Sequence, residues 1–386
     1  VGIVYFVAFD SLLSGLDQEA INNMINFETG HVQLTAPAGT PPEAIDALLR
    51  DVRSQDGVAA ATPRILLPAM LVDGANELPV TAVAVDPGSD TQVFMQADYV
   101  TAGQWLPQPA AREAGAPIPL VLGGRVAELM GLAVGDRVGL WLQGAGTGAP
   151  AAATVVGVVN TPHPTVNSSQ LFVALDDARP LAARVAGLTP RTAIAVAIAV
   201  ASRRSIDAVI RTASSIASIA GWRAESWNDT ASFLAIGSGK RTYAMALLGL
   251  VMIIATIGVV NSILLSTMER TREIGIMKAI GMTRSQIVTL FVMEGGGLGL
   301  LGGAVGAVMS VAANYYLVEV GISLKSILGD MDLDIGYPIA DVLRGAWNWP
   351  ILLMTVLFGL AVSLIASYLP ARRAAGLDPV ACLRRL

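Results

Sequence analysis

The residues best suited by type to bind a nucleotide phosphate lie in the segment GSGKRT, at positions 237–242. A phosphate-binding P-loop needs a glycine five positions before its Gly-Lys pair and a serine or threonine directly after the lysine. Leu234 and Arg241 occupy those two positions, and the segment leads into a long apolar run. We therefore expect no ATP hydrolysis by this chain. Lys240 and Arg241 are interpreted as anchors at a membrane surface.

Metal-ligating and nucleophilic side chains are few and far apart. His31 and His163 have no ligand-type spacing around them, and the single cysteine, Cys382, is remote from both. No GxSxG or HExxH sequence occurs. The histidines are interpreted as polar residues of the surface or of turns. We expect no catalytic residues, no cofactor-binding residues and no metal site.

The composition is that of a membrane protein. Of the 386 residues, 53% are hydrophobic and only 14% are charged, whereas soluble chains carry about 25% charged residues. A net charge of −5 argues against nucleic-acid binding. With one cysteine, no intrachain disulfide can form.

Long gaps between charges locate the apolar spans, because a helix needs about 20 apolar residues to cross a bilayer. Three gaps are long enough, and they run from Arg241 to Glu269, from Glu294 to Glu319 and from Arg344 to Arg372. A fourth apolar piece, residues 1–9, is too short to span. It is interpreted as the end of a first transmembrane helix that begins before this sequence; a signal-peptide remnant or a buried strand is the alternative.

Charges near the spans predict the orientation, since cytoplasmic loops are rich in Lys and Arg. Residues 269–284 and the tail from 372 onward are rich in basic residues, whereas the connection 319–344 is mainly acidic. The first two segments are therefore predicted to be cytoplasmic and the third to lie outside. Four spans then place the residues between the first and second spans outside as well.

That outside segment has the pattern of a folded mixed α/β domain. Strands are predicted for HVQL, ILLPAMLV, LPVTAVAV, PLVLG, DRVGLWL, ATVVGVV, QLFVAL and TAIAVAIAV. Helices are predicted for residues 41–55 and 204–220, the second behind a Ser202 cap, because apolar residues recur there at helical spacing. Two βαβ-like lobes are expected, with a break near residues 143–150 or in the proline-rich stretch 105–119.

Residues 269–287 predict a compact knob between the second and third spans. Ile274, Met277 or Lys278, and Ile280 or Gly281 return at helical spacing, and Gly281 is placed to end the helix. Thr283 and Gln286 offer a capping box for the next helix. Such a knob is either a handle for a partner protein or a surface helix on lipid headgroups.

Two separated motifs carry a family resemblance. The segment NSILLSTMERTREIGIMKAIGMTRSQI resembles the second-helix end and coupling helix of the FtsX-like, or MacB/LolCDE-type, ABC transporter permeases. The tail PARRAAGLDPVACLRRL resembles their C-terminus, and LVLGGRVAELMGLAVGDRVGLWL resembles part of their periplasmic domain. The N-terminal part, with the segments GLDQEA and ETGHVQL, is more similar to the lipoprotein-releasing permeases than to the macrolide-exporter branch.

The resemblance implies an α-helical membrane protein with four transmembrane helices, the first truncated, and a large mixed α/β extracytoplasmic domain inserted between helices 1 and 2. The predicted segments are the end of helix 1 (1–15), the outer domain (16–225), a stalk with helix 2 (226–268), the coupling helix and loop (269–284), helix 3 (285–318), an outer loop (319–345), helix 4 (346–370) and a cytoplasmic tail (371–386). Within the stalk, the helical part is assigned to residues 222–240.

The resemblance also implies partners. A cytoplasmic ATPase in two copies would bind ATP and Mg²⁺, and this chain would bind no cofactor itself. A second permease chain, identical or related, membrane lipid, a lipoprotein or amphiphile substrate and a periplasmic carrier or adaptor complete the set, and no nucleic acid is expected. ATPase docking is carried over to Glu269, Arg270, Arg272, Glu273, Ile276, Lys278 and Ala279.

The third span offers candidate helix-packing residues. Gly295, Gly299 and Gly303 fall four apart, as do Gly302 and Gly306, which lets another helix approach closely. That helix belongs either to a second permease chain or to this chain's own spans. Glu294, at the cytoplasmic end of the span, is interpreted as a snorkelling or interhelically hydrogen-bonded group in preference to a functional intramembrane carboxylate.

Three functions follow from the resemblance. The first is a non-enzymatic permease subunit in the bacterial inner membrane that transmits ATPase-driven motion to extract or release lipoproteins or other amphiphiles. The second is an FtsX-type scaffold that controls a cell-wall hydrolase, and the third is a MacB-type efflux subunit.

Overall fold

A computed structural model describes residues 2–37, 40, 44–108, 116–142, 150–183, 193–201, 206–219, 221–227, 232–323 and 342–376. The chain forms two compact units. The helical unit comprises Val1–Gln18, Ala235–Met331 and Asp341–Leu386, and the sheet unit comprises Glu19–Leu234 and Asp332–Ala340.

The sheet unit is built on one ten-stranded sheet. Its order is β10-β1-β9-β2-β3-β8-β5-β7-β4, with β6 beside β2 and β7; only β3–β8 and β5–β7 are parallel. The mixed α/β prediction is confirmed, but the expectation of two lobes is wrong, because one continuous sheet joins the ten described strands in a single compact unit. The strands are β1 Val32–Thr35, β2 Val58–Asp73, β3 Asn76–Val85, β4 Val100–Gly103, β5 Ile118–Gly123, β6 Arg137–Leu142, β7 Ala151–Val159, β8 Gln170–Ala174, β9 Ala193–Val200 and β10 Arg223–Ser226.

Two amphipathic helices cover this sheet where the sequence predicts them. They are α2 (Ala44–Arg53) and α7 (Ile206–Ile219), and Ile45, Val52 and Val209 on their inner faces are buried in the main core. The Ser202 cap lies outside the described residues. The shorter helices are α3 Pro87–Val93, α4 Gly124–Met130, α5 Pro164–Ser169 and α6 Leu175–Ala183.

The structure corrects two predictions in the sheet unit. Trp222 is buried in the core and the next four residues form edge strand β10 on β1, so the helical stalk does not begin at 222. His163 is buried, with its Nε2 atom 3.1 Å from Glu28 Oε2, and is therefore not a surface residue, although it does precede α5 in a turn.

The helical unit consists of long helices and one small two-stranded sheet. In the described part of the chain, three helices are long and apolar enough to cross a membrane, with candidate spans Met245–Ser266, Arg284–Glu319 and Trp349–Arg373. A fourth span stays a prediction. The elements are α1 Gly2–Met24, whose first part belongs to this unit, α8 Ser232–Glu269, α9 Thr271–Ala279, α10 Arg284–Glu319, β11 Ile322–Ser323, β12 Val342–Leu343 and α11 Trp349–Ala374.

The backbone of 237–242 is part of α8 and forms no phosphate-binding loop. The side-chain roles predicted for Lys240 and Arg241, most charges of the outer loop and Cys382 lie outside the described side chains.

Within the helical unit, α1 packs beside α10 and the start of α11. Asn348 Nδ2 donates to Asp10 Oδ2 over 2.8 Å, and the Ala346 amide donates to the Ser11 carbonyl over 2.9 Å. A Cβ atom added to Gly306 would lie 3.3 Å from Ile3 Cδ1. Gly306 thus gives α1 room to approach.

Glycines bring α10 close to α11. A Cβ atom on Gly295 would overlap the Ser367 side chain, and one on Gly299 would lie 2.5 Å from Ser363 Cβ. The Ser363 hydroxyl donates to the Gly295 carbonyl over 2.6 Å. Gly303 also faces α11, because a Cβ atom added to it would lie 3.4 Å from Val356 Cγ1. Four of the five predicted glycines therefore face this chain's own helices.

Gly302 differs from its neighbours, because nothing lies within 4 Å of an added Cβ. The pair Gly299 and Gly302 thus allows a matched test on one helix. G299A should destabilise the detergent-solubilised chain by about 1–3 kcal/mol, because overpacking forces α10 and α11 apart. G302A should be neutral or stabilising by about 0.5–1 kcal/mol, since alanine favours the helix. Unfolding midpoints measure both, and equal effects would contradict this packing.

Candidate functional site

The short helix α9 and its two ends form the predicted knob. Gly281 has φ +98°, and its amide donates to the Lys278 carbonyl over 3.0 Å while the Met282 amide reaches Met277. These bonds end the helix in a Schellman arrangement, as predicted. The Thr283 hydroxyl accepts from the Gln286 amide over 3.3 Å and the Gln286 side chain accepts from the Thr283 amide over 2.9 Å, which confirms the capping box.

One face of α9 is seated on the ends of two spans. Ile274 is fully buried in a cluster with Ile287 and Phe291 of α10 and Ala371 and Ala375 at the end of α11. The side chains of Met277, Met282 and Val288 complete this cluster, which we call the α9 seat. Because the seat is apolar and draws on α10 and α11 together, it fixes the orientation of α9 on the helical unit.

The opposite face of α9 is open. Ile276 is 48% exposed, and Ile280, predicted to return toward the inner face, is 75% exposed because it stands just beyond the last helical turn. The structure therefore leaves two large apolar side chains beside charged ones on the surface. Of the residues carried over as the docking surface, Glu269, Arg272, Glu273, Ile276 and Ala279 are exposed, and Arg270 and Lys278 are half-buried.

Arg270, one of the candidate docking residues, is ion-paired within the chain. Its Nη1 atom contacts Glu294 Oε1 on α10, and the two side chains are 42% and 43% exposed. The hydrogen bond to Glu294 and the charge of that carboxylate raise the pKa of Arg270 above its usual value. The pair therefore ties the start of α9 to α10. Glu294, interpreted as a snorkelling or interhelically hydrogen-bonded group, is thus hydrogen-bonded to the residue directly before α9.

A second polar link joins α10 to α11. Arg284 Nη2 donates to the Arg372 carbonyl over 3.1 Å, which connects the first residue of α10 to the last turns of α11. The sequence indicates neither pairing, because the partners are 24 positions apart in the first pair and 88 positions apart in the second. The signal in the sequence is Glu294 itself, because an acidic residue on an apolar span needs a counterion nearby.

In the described part of the chain, no group of three or more His, Cys, Asp or Glu residues could hold a metal ion. The site thus consists of a helix that is fixed on one face and exposed on the other. Such an arrangement can bind a partner and transmit force to the spans.

The pairing of Arg270 with Glu294 is tested by a double-mutant cycle in the purified chain. R270A and E294A should each lower the unfolding midpoint, and the double variant should lose less than the sum because one interaction is counted twice. R272A, on the exposed face, serves as the control and should change the midpoint little. Additive losses would show that the two side chains do not interact.

Two family matches cover most of the chain. Residues 1–216 match the MacB-like periplasmic core domain, and residues 245–379 match the FtsX-like permease C-terminal region.

Individual relatives match over different extents. The lipoprotein-releasing system transmembrane protein LolC of Neisseria meningitidis is 23% identical over 399 aligned positions, which cover 100% of this chain and 91% of that protein. The uncharacterised ABC transporter permease YknZ of Bacillus subtilis is 35% identical over 162 residues, and the macrolide export protein MacB of Escherichia coli is 32% identical over 132 residues.

The matched part of this chain spans 34% of the length of YknZ and 18% of the length of MacB. The MacB-like match, in contrast, takes in more than half of this chain. The chain therefore belongs to the ABC transporter permeases that join a MacB-like periplasmic core domain to an FtsX-like permease region.

Proposed function

We propose that this chain is the permease subunit of an inner-membrane ABC transporter that passes ATPase-driven motion to an extracytoplasmic domain and so extracts or releases lipoproteins or other amphiphiles. The observation that carries the proposal is the extent of the match to LolC, which runs along 100% of this chain. The matches to MacB of Escherichia coli and to YknZ cover only 34% and 39% of it.

The exposed face of α9 is the proposed docking surface for the ATPase. Ile276 and Ile280 are large apolar side chains on that face, and Glu273 and Arg272 flank them with opposite charges. A protein interface typically combines an apolar centre with charges that pair across its rim. The seat under α9 makes this surface rigid, so that a push on α9 is delivered to α10 and α11.

This docking surface revises the roles within the carried-over set. Arg270 pairs with Glu294 and positions α9, whereas Glu269, Arg272, Glu273, Ile276 and Ala279 are free to face a partner as judged by their exposure. Lys278, half-buried, lies at the rim.

The remaining partners follow from the same proposal. Two ATPase copies bind ATP and Mg²⁺, and this chain binds neither. A second permease chain, identical or related, completes the membrane unit, lipid surrounds it, and a periplasmic carrier or adaptor receives the substrate.

Efflux of the MacB type is the second candidate, favoured by the MacB-like match over residues 1–216. The two candidates differ in what the outer domain handles, since one requires an acylated protein and the other a small solute. An FtsX-type scaffold would require no transported molecule at all.

The docking surface is tested by charge reversal in the reconstituted complex. E273R should weaken ATPase binding by at least tenfold, because it places a like charge opposite a basic partner residue in an interface where complementarity sets specificity. E77R makes the same charge change at an exposed residue near the start of β3 and should leave binding unchanged. Titration of labelled ATPase into nanodiscs gives both affinities, and wild-type affinity for E273R would remove α9 from the interface.

The substrate class is tested in proteoliposomes that hold the complete complex and a fluorescent triacylated lipoprotein. We expect ATP-dependent transfer of the lipoprotein to a soluble acceptor, and no transfer with a non-hydrolysable ATP analogue. ATP-dependent movement of a small macrolide without lipoprotein transfer would favour the efflux candidate instead.

A further inference from the structure

A group of buried, hydrogen-bonded polar side chains surrounds the segment that follows α1 in the sheet unit. Residues Ile25–Thr29 form a π-helix, and Gly30, with φ +71°, turns the chain into β1. A side chain at Gly30 would have its Cβ 3.2 Å from the Ile198 carbonyl. π-helical turns are weakly bonded and frequent at functional sites. A force along α1 would be absorbed here by unwinding unless the segment were held.

The segment is held by the side chain of Arg64, which β2 contributes from the middle of the sheet. Arg64 forms a two-point ion pair with Asp90, with Nε–Oδ1 at 2.8 Å and Nη2–Oδ2 at 3.0 Å, and both side chains are at least 95% buried. Its remaining nitrogen, Nη1, donates to the Phe27 carbonyl over 3.3 Å. The guanidinium also lies 3.3 Å from the ring centre of Phe94.

Gln96 holds the same carbonyl more closely. Its Nε2 donates to the Phe27 oxygen over 2.6 Å, and the neighbouring Met95 amide donates to the Asn26 carbonyl over 3.0 Å. The ring of Phe27 is buried in the second core cluster, edge-on to Tyr99 at 5.2 Å. The carbonyls of Asn26 and Phe27 and the ring of Phe27 are therefore held by residues about 70 positions further along the chain.

A buried charged pair is weak evidence for stability as such, since apolar residues of similar size often serve as well. What this pair gives is direction, because Asp90 fixes the orientation of the Arg64 guanidinium so that Nη1 is aimed at the Phe27 carbonyl. A further contact of the segment, His163 Nε2 to Glu28 Oε2 at 3.1 Å, comes from yet another part of the sheet unit.

We propose that Arg64, Asp90 and Gln96 form a clamp that binds the end of the α1 segment to the sheet unit, so that movement of the first helix is delivered to the outer domain. This inference rests on the proposed function, because it assumes that motion reaches this domain from the membrane. Arg64, Asp90 and Gln96 are positioning residues for that transmission.

The test replaces Gln96 by leucine. Q96L removes the 2.6 Å bond to Phe27, and it also removes Oε1, a buried acceptor with no partner in the described structure, so the fold should tolerate the change. Q92L is the matched control, because Gln92 is exposed on α3 and its amide reaches only the Gly88 carbonyl, at 3.5 Å.

Movement is read at two places in the complete complex with its ATPase, in nanodiscs. In a background with Cys382 changed to serine, spin labels are attached in separate samples at Glu77→Cys in the sheet unit and at Ser285→Cys at the start of α10, both exposed. Each permease chain carries the label at the equivalent position, and the distance between the two labels is measured with and without ATP and vanadate.

In the wild-type and Q92L complexes, we expect ATP to change both distances. In Q96L, the change at 285 should persist while the change at 77 falls by at least half, and the lipoprotein released per ATP should fall by a similar factor. If Gln96 had a merely structural role, Q96L would lower protein stability without producing different distance changes at positions 77 and 285.

The outcomes separate the clamp from the proposed function. If Q96L moves as the wild type does at both positions, the clamp is wrong and the proposed function stands. If Q96L loses movement at both positions, the clamp is also wrong, because its failure must leave the cytoplasmic end responsive. If the wild type shows no change at 77, the proposed function fails and the clamp with it.

Discussion

The close packing of α10 on α11 is the interaction on which the helical unit depends. It requires glycine at 295 and 299, where any side chain would run into Ser363 or Ser367. The α9 seat is built from residues of both helices, so it exists only while they stay together. The exposed surface of α9 is in turn shaped by that seat. One close helix contact therefore determines whether the knob formed by α9 is a rigid handle or a loose loop.

The sheet unit meets the same physical requirement with different chemistry. A helix can pass on motion only if its ends cannot unwind, and backbone carbonyls at a helix end need partners. At the end of α9 the Schellman bonds satisfy the carbonyls, while the apolar seat and one ion pair hold the helix in place; after α1 the carbonyl partners are the buried side chains of Arg64 and Gln96. Both arrangements fix a short segment to a larger body, as the proposed transmission of force requires.

Local patterns in the sequence predict the elements but not their partners. The strands and the α2 and α7 faces follow from periodicity, and Gly281 and Thr283 mark their helix ends because capping is a local effect. Strand β10 was missed because the sequence RAES, at a sheet edge, has no apolar alternation. The burial of His163 and the pairing of Arg64 depend on residues 135 and 26 positions away. Glycine spacing on α10 indicates a close approach without saying which helix approaches.

The central claim is that force passes through held segments, and two structures of the complete complex, without nucleotide and with ATP and vanadate, test it most directly. The account predicts that α9 keeps its contacts with Ile287 and Phe291, and that Gln96 keeps its bond to Phe27, while the sheet unit changes position relative to the membrane. Unwinding of residues 25–29, or a displaced α9 over stationary α10 and α11, would contradict it.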